Sequence, residues 1–554
     1  MLGKKPWTKY YDPSVPEAIH YPQIPVQQLV HVAAATLPHK ASTSFYGSEL
    51  TFRQIRAQML RMANVLIKLG IKKGDRVALA LPNCPQYVIA YYGALSAGAI
   101  VVNINPMYTF DELKFMLENT GVETLITFDG ALEVMRPLAT ALRLKNVIVT
   151  CVTDYIDRMP VSTAQSLKLD SGWHHFSGLL TDCTVESVPK IECKSSDPAL
   201  IQFTGGTTGL PKGAILSHGN LIAAVFQGGL WGNFITAYVP IAERTVISVI
   251  PYFHIYGNGS AMNWSMFNAA TQILFPRFVL DEFIDTIAKF KRITYFPAVP
   301  TMITAIIGHP KAAELDLGAK IGLISSGGAP MPVELIQKVR DMGIFFTEGW
   351  GMSETASAGI SSPIMRHKVG SIGTPYPDNE VRLVDIGTGL VDVKPSEPGE
   401  ILLKGPTVMQ GYWNNPEETK NQLKDGWLST GDIGQMDEEG YFYIVDRKKD
   451  MIIAGGFNIY PREVDEVLYQ HPKVAEGVSA GVPDAYRGET VKAYIVLKPG
   501  VTATEKEIID FCKTKLAPYK VPKLIEFRSE LPKSAVGKVL RKILRDEEIA
   551  KSKK

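Results

Sequence analysis

Between positions 51 and 128 the apolar residues change period several times, and each change marks a switch between helix and strand. Thr51 and Gln54 form a capping box ahead of Ile55, Met59, Met62 and Leu66, which recur at helical spacing. Gly70 can end that helix, and the apolar run 77–81 reads as a buried strand. A second helix over 86–97 leads to a strand over 99–105. Thr109 and Glu112 cap a third helix, with Leu113, Met116 and Leu117 on one face, before a strand over 122–128. Strands alternating with helices predict a largely parallel sheet covered by helices.

Residues 150–195 carry many Ser, Thr and Asp without period and read as a connection. The alternation resumes at Ala199. A β-rich stretch spans 381–445, with short strands at 400–403 and 441–445 between Gly, Pro and Asp turns. The charged run Asp446-Arg447-Lys448-Lys449-Asp450 interrupts the pattern. Beyond it, strands over 491–497 and 524–527 and helices over 505–516 and 536–549 outline a small α+β unit. The expected architecture is α/β: a large domain, 1–447, of parallel-rich sheets with helices plus a β-rich subdomain, and a small mobile domain, 448–554.

Composition narrows the partners. The chain has 58 basic and 56 acidic residues, a net charge of +2, which gives no electrostatic case for nucleic acid. The longest apolar stretch, 87–102, is broken by glycines and a serine and falls short of the ~20 residues of a membrane span. Met1 to Tyr11 has no apolar core of a signal peptide. Five dispersed cysteines fit no zinc spacing and suit a reducing, cytoplasmic compartment. Peripheral membrane contact and a homodimer both stay open.

The sharpest chemical signal is Thr204-Gly205-Gly206-Thr207-Thr208-Gly209-Leu210-Pro211-Lys212-Gly213. Its glycines let the backbone approach a ligand closely, and backbone N–H groups, threonine hydroxyls and one ammonium suit a polyphosphate. No Gly-Lys-Ser/Thr appears, so this is not a Walker A loop. The flanks, 199–203 and 214–218, read as two strands rather than strand then helix. A glycine-rich hairpin without a ligand is the alternative.

This segment resembles the phosphate loop of the adenylate-forming enzymes, which include acyl- and aryl-CoA ligases, firefly-type luciferases and peptide-synthetase adenylation domains. The resemblance extends over nearly the whole chain, most like the medium- and long-chain fatty acid–CoA ligases. Ser326-Gly327-Gly328-Ala329-Pro330 is similar to the family's adenine-side loop. Trp350-Gly351-Met352-Ser353-Glu354 resembles the next motif, which implies an aromatic on adenine, a hydroxyl on the α-phosphate and a glutamate that holds Mg²⁺, with Thr207 as second ligand. Trp350 stands where tyrosine is common, so stacking survives but the tyrosine's polar handle is expected to be lost. Asp432 and Arg447 resemble the ribose contacts, Lys449 the hinge, and Lys538 the adenylation lysine. Gly456 matches the turn beside the pantetheine path, and His254 the histidine beside the acyl pocket. Tyr256, Gly257, Asn258 and residues 227–231 are expected to shape that pocket.

The resemblance implies ATP, Mg²⁺ and coenzyme A acting on a small-molecule carboxylic acid. The carboxylate attacks the α-phosphorus of ATP, and CoA then takes the acyl group from the adenylate. Catalytic roles fall to Lys538, Thr207, Glu354 and His254. Aryl or alicyclic acids are the alternative substrates, and a separate carrier protein the alternative acceptor. A luciferase-type oxygenase shares the nucleotide motifs. A scaffold without chemistry would not need Lys538, Glu354 and Asp432 together.

Overall fold

A computed structural model describes residues 5–156, 167–204, 211–329, 331–454, 457–484, 486–534 and 537–552. Two parallel-rich sheets form most of the chain before position 380. One has eight strands, in the order Gly411–Tyr412, Gly213–Ser217, Pro198–Phe203, Ile100–Asn103, Arg76–Ala80, Thr124–Phe128, Asn146–Thr150, Trp173–His175. It is parallel from Pro198–Phe203 to Trp173–His175, and its first two strands run antiparallel. The other has nine strands. Its parallel core joins Ala41–Phe45, Thr271–Leu274, Thr245–Ser248, Ile293–Ala298, Ile321–Ser326 and Phe345–Trp350, with antiparallel strands at both edges.

The helix Pro85–Ser96 is buried at all twelve positions, as a helix apolar on every side must be when it packs between layers. Its Tyr87 hydroxyl reaches Asn103 in the eight-stranded sheet at 2.6 Å and the carbonyl of Tyr252, just past Thr245–Ser248 of the nine-stranded sheet, at 2.9 Å. Both expected capping boxes form, at Thr51–Gln54 and Thr109–Glu112, and start the helices Phe52–Lys68 and Phe110–Thr120. Ile55, Met59, Met62 and Leu66 are buried, and Gly70 takes a positive φ of 94° just past the helix end.

A third, antiparallel sheet of five strands spans Glu380–Val384 to Phe442–Arg447. A fourth, also of five strands, follows the charged run; there Leu524–Phe527 joins Gly488–Leu497 in parallel. Three expectations need correction. The connection 150–195 contains an edge strand, Trp173–His175, and a helix, Phe176–Asp182; residues 157–166 lie outside the described set. The last helix is Arg541–Ser552, beginning later than 536, because Val539 pairs antiparallel with Lys533 instead of joining a helix. The fourth sheet also has a long strand, Val474–Asp484, that the pattern did not reveal. Among the described residues no helix is long and apolar enough to cross a membrane.

Candidate active site

The two parallel-rich sheets, the third sheet and the last domain meet at a cavity of about 1550 Å³. That exceeds the roughly 300–1,000 Å³ of an ordinary single-ligand pocket, so there is room for a nucleotide and an acid together. Of the expected site residues, Thr204, Lys212, His254, Gly328, Trp350, Gly351, Ser353, Glu354, Asp432, Arg447, Lys449 and Lys538 all belong to it or flank it. Gly205, Gly206, Thr207, Thr208, Gly209, Pro330 and Gly456 lie outside the described residues. Ala329 is half-buried next to Gly328.

The antiparallel pair Pro198–Phe203 and Gly213–Ser217 brings Thr204 and Lys212 together, with the Thr204 N–H donating to the Lys212 carbonyl at 2.9 Å. The expected two-strand flank is therefore present. The Lys212 ammonium pairs with Glu418 and lies 5.5 Å from the centre of the Tyr412 ring. Tyr412 in turn donates its hydroxyl to Glu354 Oε1 at 2.8 Å. Glu354 is only 6% exposed, and burial pushes its carboxyl upward from the usual range. Tyr412 and Glu418 were not foreseen; no spacing links them to the motifs, and only strand Gly411–Tyr412 pairing with Gly213–Ser217 brings them close.

Trp350 corrects one expectation. Its indole N–H donates to Asp432 Oδ2 at 2.8 Å, so the side chain does carry a polar handle. Arg447 Nε meets Asp432 Oδ1 at 3.1 Å across the pair of strands Trp427–Met436 and Phe442–Arg447, where the two residues are in register. Next along the chain, a Cβ on Gly351 would sit 2.2 Å from the Ser357 carbonyl, so backbone packing demands glycine there. Gly328 holds a positive φ of 79° where the chain turns after strand Ile321–Ser326.

Lys538 reaches the same cavity from the last domain. Its N–H donates to Ser534 Oγ at 3.2 Å, and Ser534 N–H returns a bond to its carbonyl at 2.8 Å. Enclosure, with the Arg447 charge beside it, pushes its ammonium down to about 7 against the opposing pull of Asp432 and Asp450. No carboxylate forms an ion pair with it among the described residues. His254 Nδ1 accepts the Tyr256 N–H at 3.2 Å and so starts a short helical turn. Burial, with Lys538 nearby, lowers the imidazole to about 4, so it is neutral at ordinary pH. Lys449 also borders the cavity, and its carbonyl accepts from Arg545 at 3.1 Å.

One wall of the cavity is largely apolar. Helix His218–Trp231 faces it with Ala224, Val225, Gly228 and Trp231, and Ile364 and Tyr376 line it as well. A Cβ on Gly228 would meet nothing within 4 Å. Tyr256 lines the cavity, but Asn258 is fully buried and bonds Tyr91 and Asn263 instead. Gln227 likewise turns away, donating to the Pro377 carbonyl at 2.7 Å. Both belong to the support behind the wall rather than to the wall.

This combination of two α/β layers, an antiparallel strand pair carrying Thr204 and Lys212, a buried Asp432 held by Trp350 and Arg447, and a lysine from the last domain defines a class. Residues 30–413 match the AMP-binding enzyme family and residues 463–538 match the AMP-binding enzyme C-terminal domain. The chain belongs to the AMP-binding enzymes, and it is an acid–thiol ligase of that family. It is 43% identical, over 99% of both chains, to a long-chain-fatty-acid–CoA ligase of Bacillus subtilis (strain 168). It is 36% identical, over 98% of both chains, to a long-chain-fatty-acid–CoA ligase of Escherichia coli O6:H1. Among solved structures, the anthranilate CoA ligase AuaEII in complex with anthranoyl-AMP superposes with a TM-score of 0.86 at 27% identity, covering 96% of this chain and 98% of that one.

Proposed function

We propose that this chain joins medium- or long-chain fatty acids to coenzyme A, consuming ATP and releasing AMP and pyrophosphate through an acyl-adenylate. The observation that carries this reading is the shared cavity: the apolar residues Ala224, Val225, Trp231 and Ile364 line the same cavity as Asp432, Glu354 and Lys538. A carboxylate is a poor electrophile because its leaving group would be oxide. Once its oxygen has displaced pyrophosphate from the α-phosphorus, that oxygen departs as part of AMP. Such in-line displacement needs positioning and charge compensation more than covalent help.

Each residue then has a role that its surroundings support. Asp432 accepts the two ribose hydroxyls, and Trp350 stacks on the adenine. The Lys538 ammonium bridges the incoming carboxylate and the α-phosphate. Neutral His254 borders the carboxylate without competing for its charge. Glu354 fits Mg²⁺: it is a hard oxygen donor with one oxygen bonded to Tyr412 and the other free of any side-chain hydrogen bond among the described residues. When bound there, with Thr207 as second ligand, the ion supplies neutralisation of phosphate charge. Coenzyme A enters in the second half-reaction, for which Lys449 is the hinge and Gly456 the glycine of the thiol path.

Aryl carboxylates are the second reading, favoured by the aromatic wall of Trp231 and Tyr376 and by the likeness to an anthranilate CoA ligase. Acid-dependent exchange of pyrophosphate into ATP, run over saturated fatty acids, benzoate and cinnamate with and without CoA, separates the two. Fastest exchange with fatty acids, and acyl-CoA formed only when CoA is present, is the expected result. If no acid releases AMP, the reading fails.

A further inference from the structure

The N-terminal segment from Trp7 to Val26 takes no part in the chemistry above, yet it is fastened along the outside of the acyl wall. Trp7 meets the ring of Phe442 edge-on at 5.9 Å, and its backbone approaches Gly440 so closely that a Cβ there would sit 3.0 Å away. Further on, the Ile19 N–H and the Tyr21 hydroxyl both donate to Asp378 Oδ2 at 2.9 Å. Val26 N–H donates to His218 Nδ1 at 3.2 Å, at the start of helix His218–Trp231.

Between these anchors lie Tyr11 and Asp12, 6% and 2% exposed. Neither borders the cavity; both touch the residues that do. The Tyr11 ring stands edge-on to Trp231 at 5.3 Å, and Trp231 stands edge-on to Tyr376 at 4.9 Å. The Tyr11 hydroxyl donates to the Pro375 carbonyl at 2.6 Å, one residue before Tyr376. Asp12 accepts the N–H of Ile364 at 2.8 Å and that of Met365 at 3.1 Å. Trp231 itself is tied by its indole N–H to the Ser362 carbonyl at 3.0 Å. Three wall residues, Trp231, Ile364 and Tyr376, are therefore all braced from behind by two consecutive residues of one strap.

A buried carboxylate that serves two backbone N–H groups is a costly way to hold a turn unless the turn's position matters. A tryptophan with no ring behind it would have a void into which to swing. We propose that Tyr11 and Asp12 are positioning residues that set the longest acyl chain the enzyme accepts, by holding Trp231, Ile364 and Tyr376 as an end stop. This rests on the acyl-activating reading given above.

The test is the ratio of kcat/KM for palmitate to that for octanoate, with the KM for ATP measured alongside, in the full-length enzyme. Tyr11→Ala raises the ratio about tenfold, within the range that a changed apolar pocket supplies, and leaves the KM for ATP as it was. Tyr11→Phe keeps the ring and the native ratio. Asp12→Asn keeps an oxygen for Ile364 and folds, so it decides the matter if Tyr11→Ala does not; its ratio rises about threefold. A merely structural role would lower turnover equally for both acids, and an unchanged ratio in active Tyr11→Ala, or in Asp12→Asn where the alanine variant does not fold, overturns the proposal. Should no acid support pyrophosphate exchange even in the unaltered protein, the acyl-activating reading fails instead, which is a different outcome.

Discussion

Asp432 has two oxygens and about four lone-pair directions, of which Trp350 and Arg447 occupy one on each oxygen. One direction per oxygen remains, which suits a vicinal diol. The indole N–H keeps the carboxylate from rotating and, in the proposed function, would couple the adenine platform to the ribose acceptor. A hydrogen bond to a charged group contributes about 1.5–3 kcal/mol net, so Trp350→Phe should raise the KM for ATP about tenfold while the KM for the acid stays put. Steady-state titration of each substrate checks this, and an equal rise in both would show that the ring acts only as packing. Lys538 makes a second prediction. Its ammonium, held down to about 7 by enclosure, is protonated below that pH and neutral above it. The charged form is the one that bridges two anions, so kcat/KM for ATP in the adenylation half-reaction should fall as pH rises through about 7. Lys538→Arg, which stays charged throughout, should abolish that fall at a lower rate. Lys538→Ala should cost ~10²–10³ in adenylation yet spare thioester formation from a supplied acyl-adenylate.

At the scale of the element, what was legible in the sequence is what is local. The capping boxes at Thr51 and Thr109 lie three residues from their partners, and the helices they start appear where the pattern put them. The inner strands Arg76–Ala80, Ile100–Asn103, Thr124–Phe128 and Pro198–Phe203 of the eight-stranded sheet were legible because burial on both faces makes them continuous apolar runs, whereas the edge strand Trp173–His175 was not. Val474–Asp484 was not, because Gly477, Ser479 and Gly481 break its alternation. The reason for Gly477 lies in packing: a Cβ there would come within 2.9 Å of Leu468, on the helix Pro461–Tyr469 that lies across the strand. The site divides the same way. Thr204, Lys212, Trp350, Asp432 and Lys538 stand in short motifs, and the fold brings them to one cavity. Tyr412, Glu418 and the strap residues Tyr11 and Asp12 have no motif, since each acts on a partner far away in the chain.

At the scale of the whole molecule, the last domain sits with Lys538 in the cleft and is fastened there by a few bonds. Asp446 Oδ2 accepts the Arg462 N–H at 2.7 Å, and Arg462 Nη1 donates to the Ile444 carbonyl at 2.7 Å. A Cβ on Gly537 would press on Thr301 at 2.8 Å, so the lysine's loop lies directly against the large domain. All of these contacts must be released if the same domain is to present the segment around Gly456 to the adenylate. The chain between strands Phe442–Arg447 and Ile452–Ala454 is the place where that rotation can be absorbed, and Lys449 lies in its middle. Proline at 449 would fix φ near −65° and restrict Lys448 as well. Among the described residues the Lys449 N–H makes no backbone hydrogen bond, so the substitution removes no such bond from the arrangement seen. Lys449→Pro should therefore leave acid-dependent pyrophosphate exchange within about threefold of the unaltered enzyme while acyl-CoA release drops about 100-fold, the pattern of a blocked conformational step rather than of lost chemistry. Rapid-quench measurement of adenylate build-up against acyl-CoA release distinguishes the two, because a stalled rotation leaves adenylate accumulated on the protein. Normal acyl-CoA turnover in this variant would place the hinge elsewhere, and parallel loss of both half-reactions would mean that the proline had disturbed Arg447 and the ribose site instead.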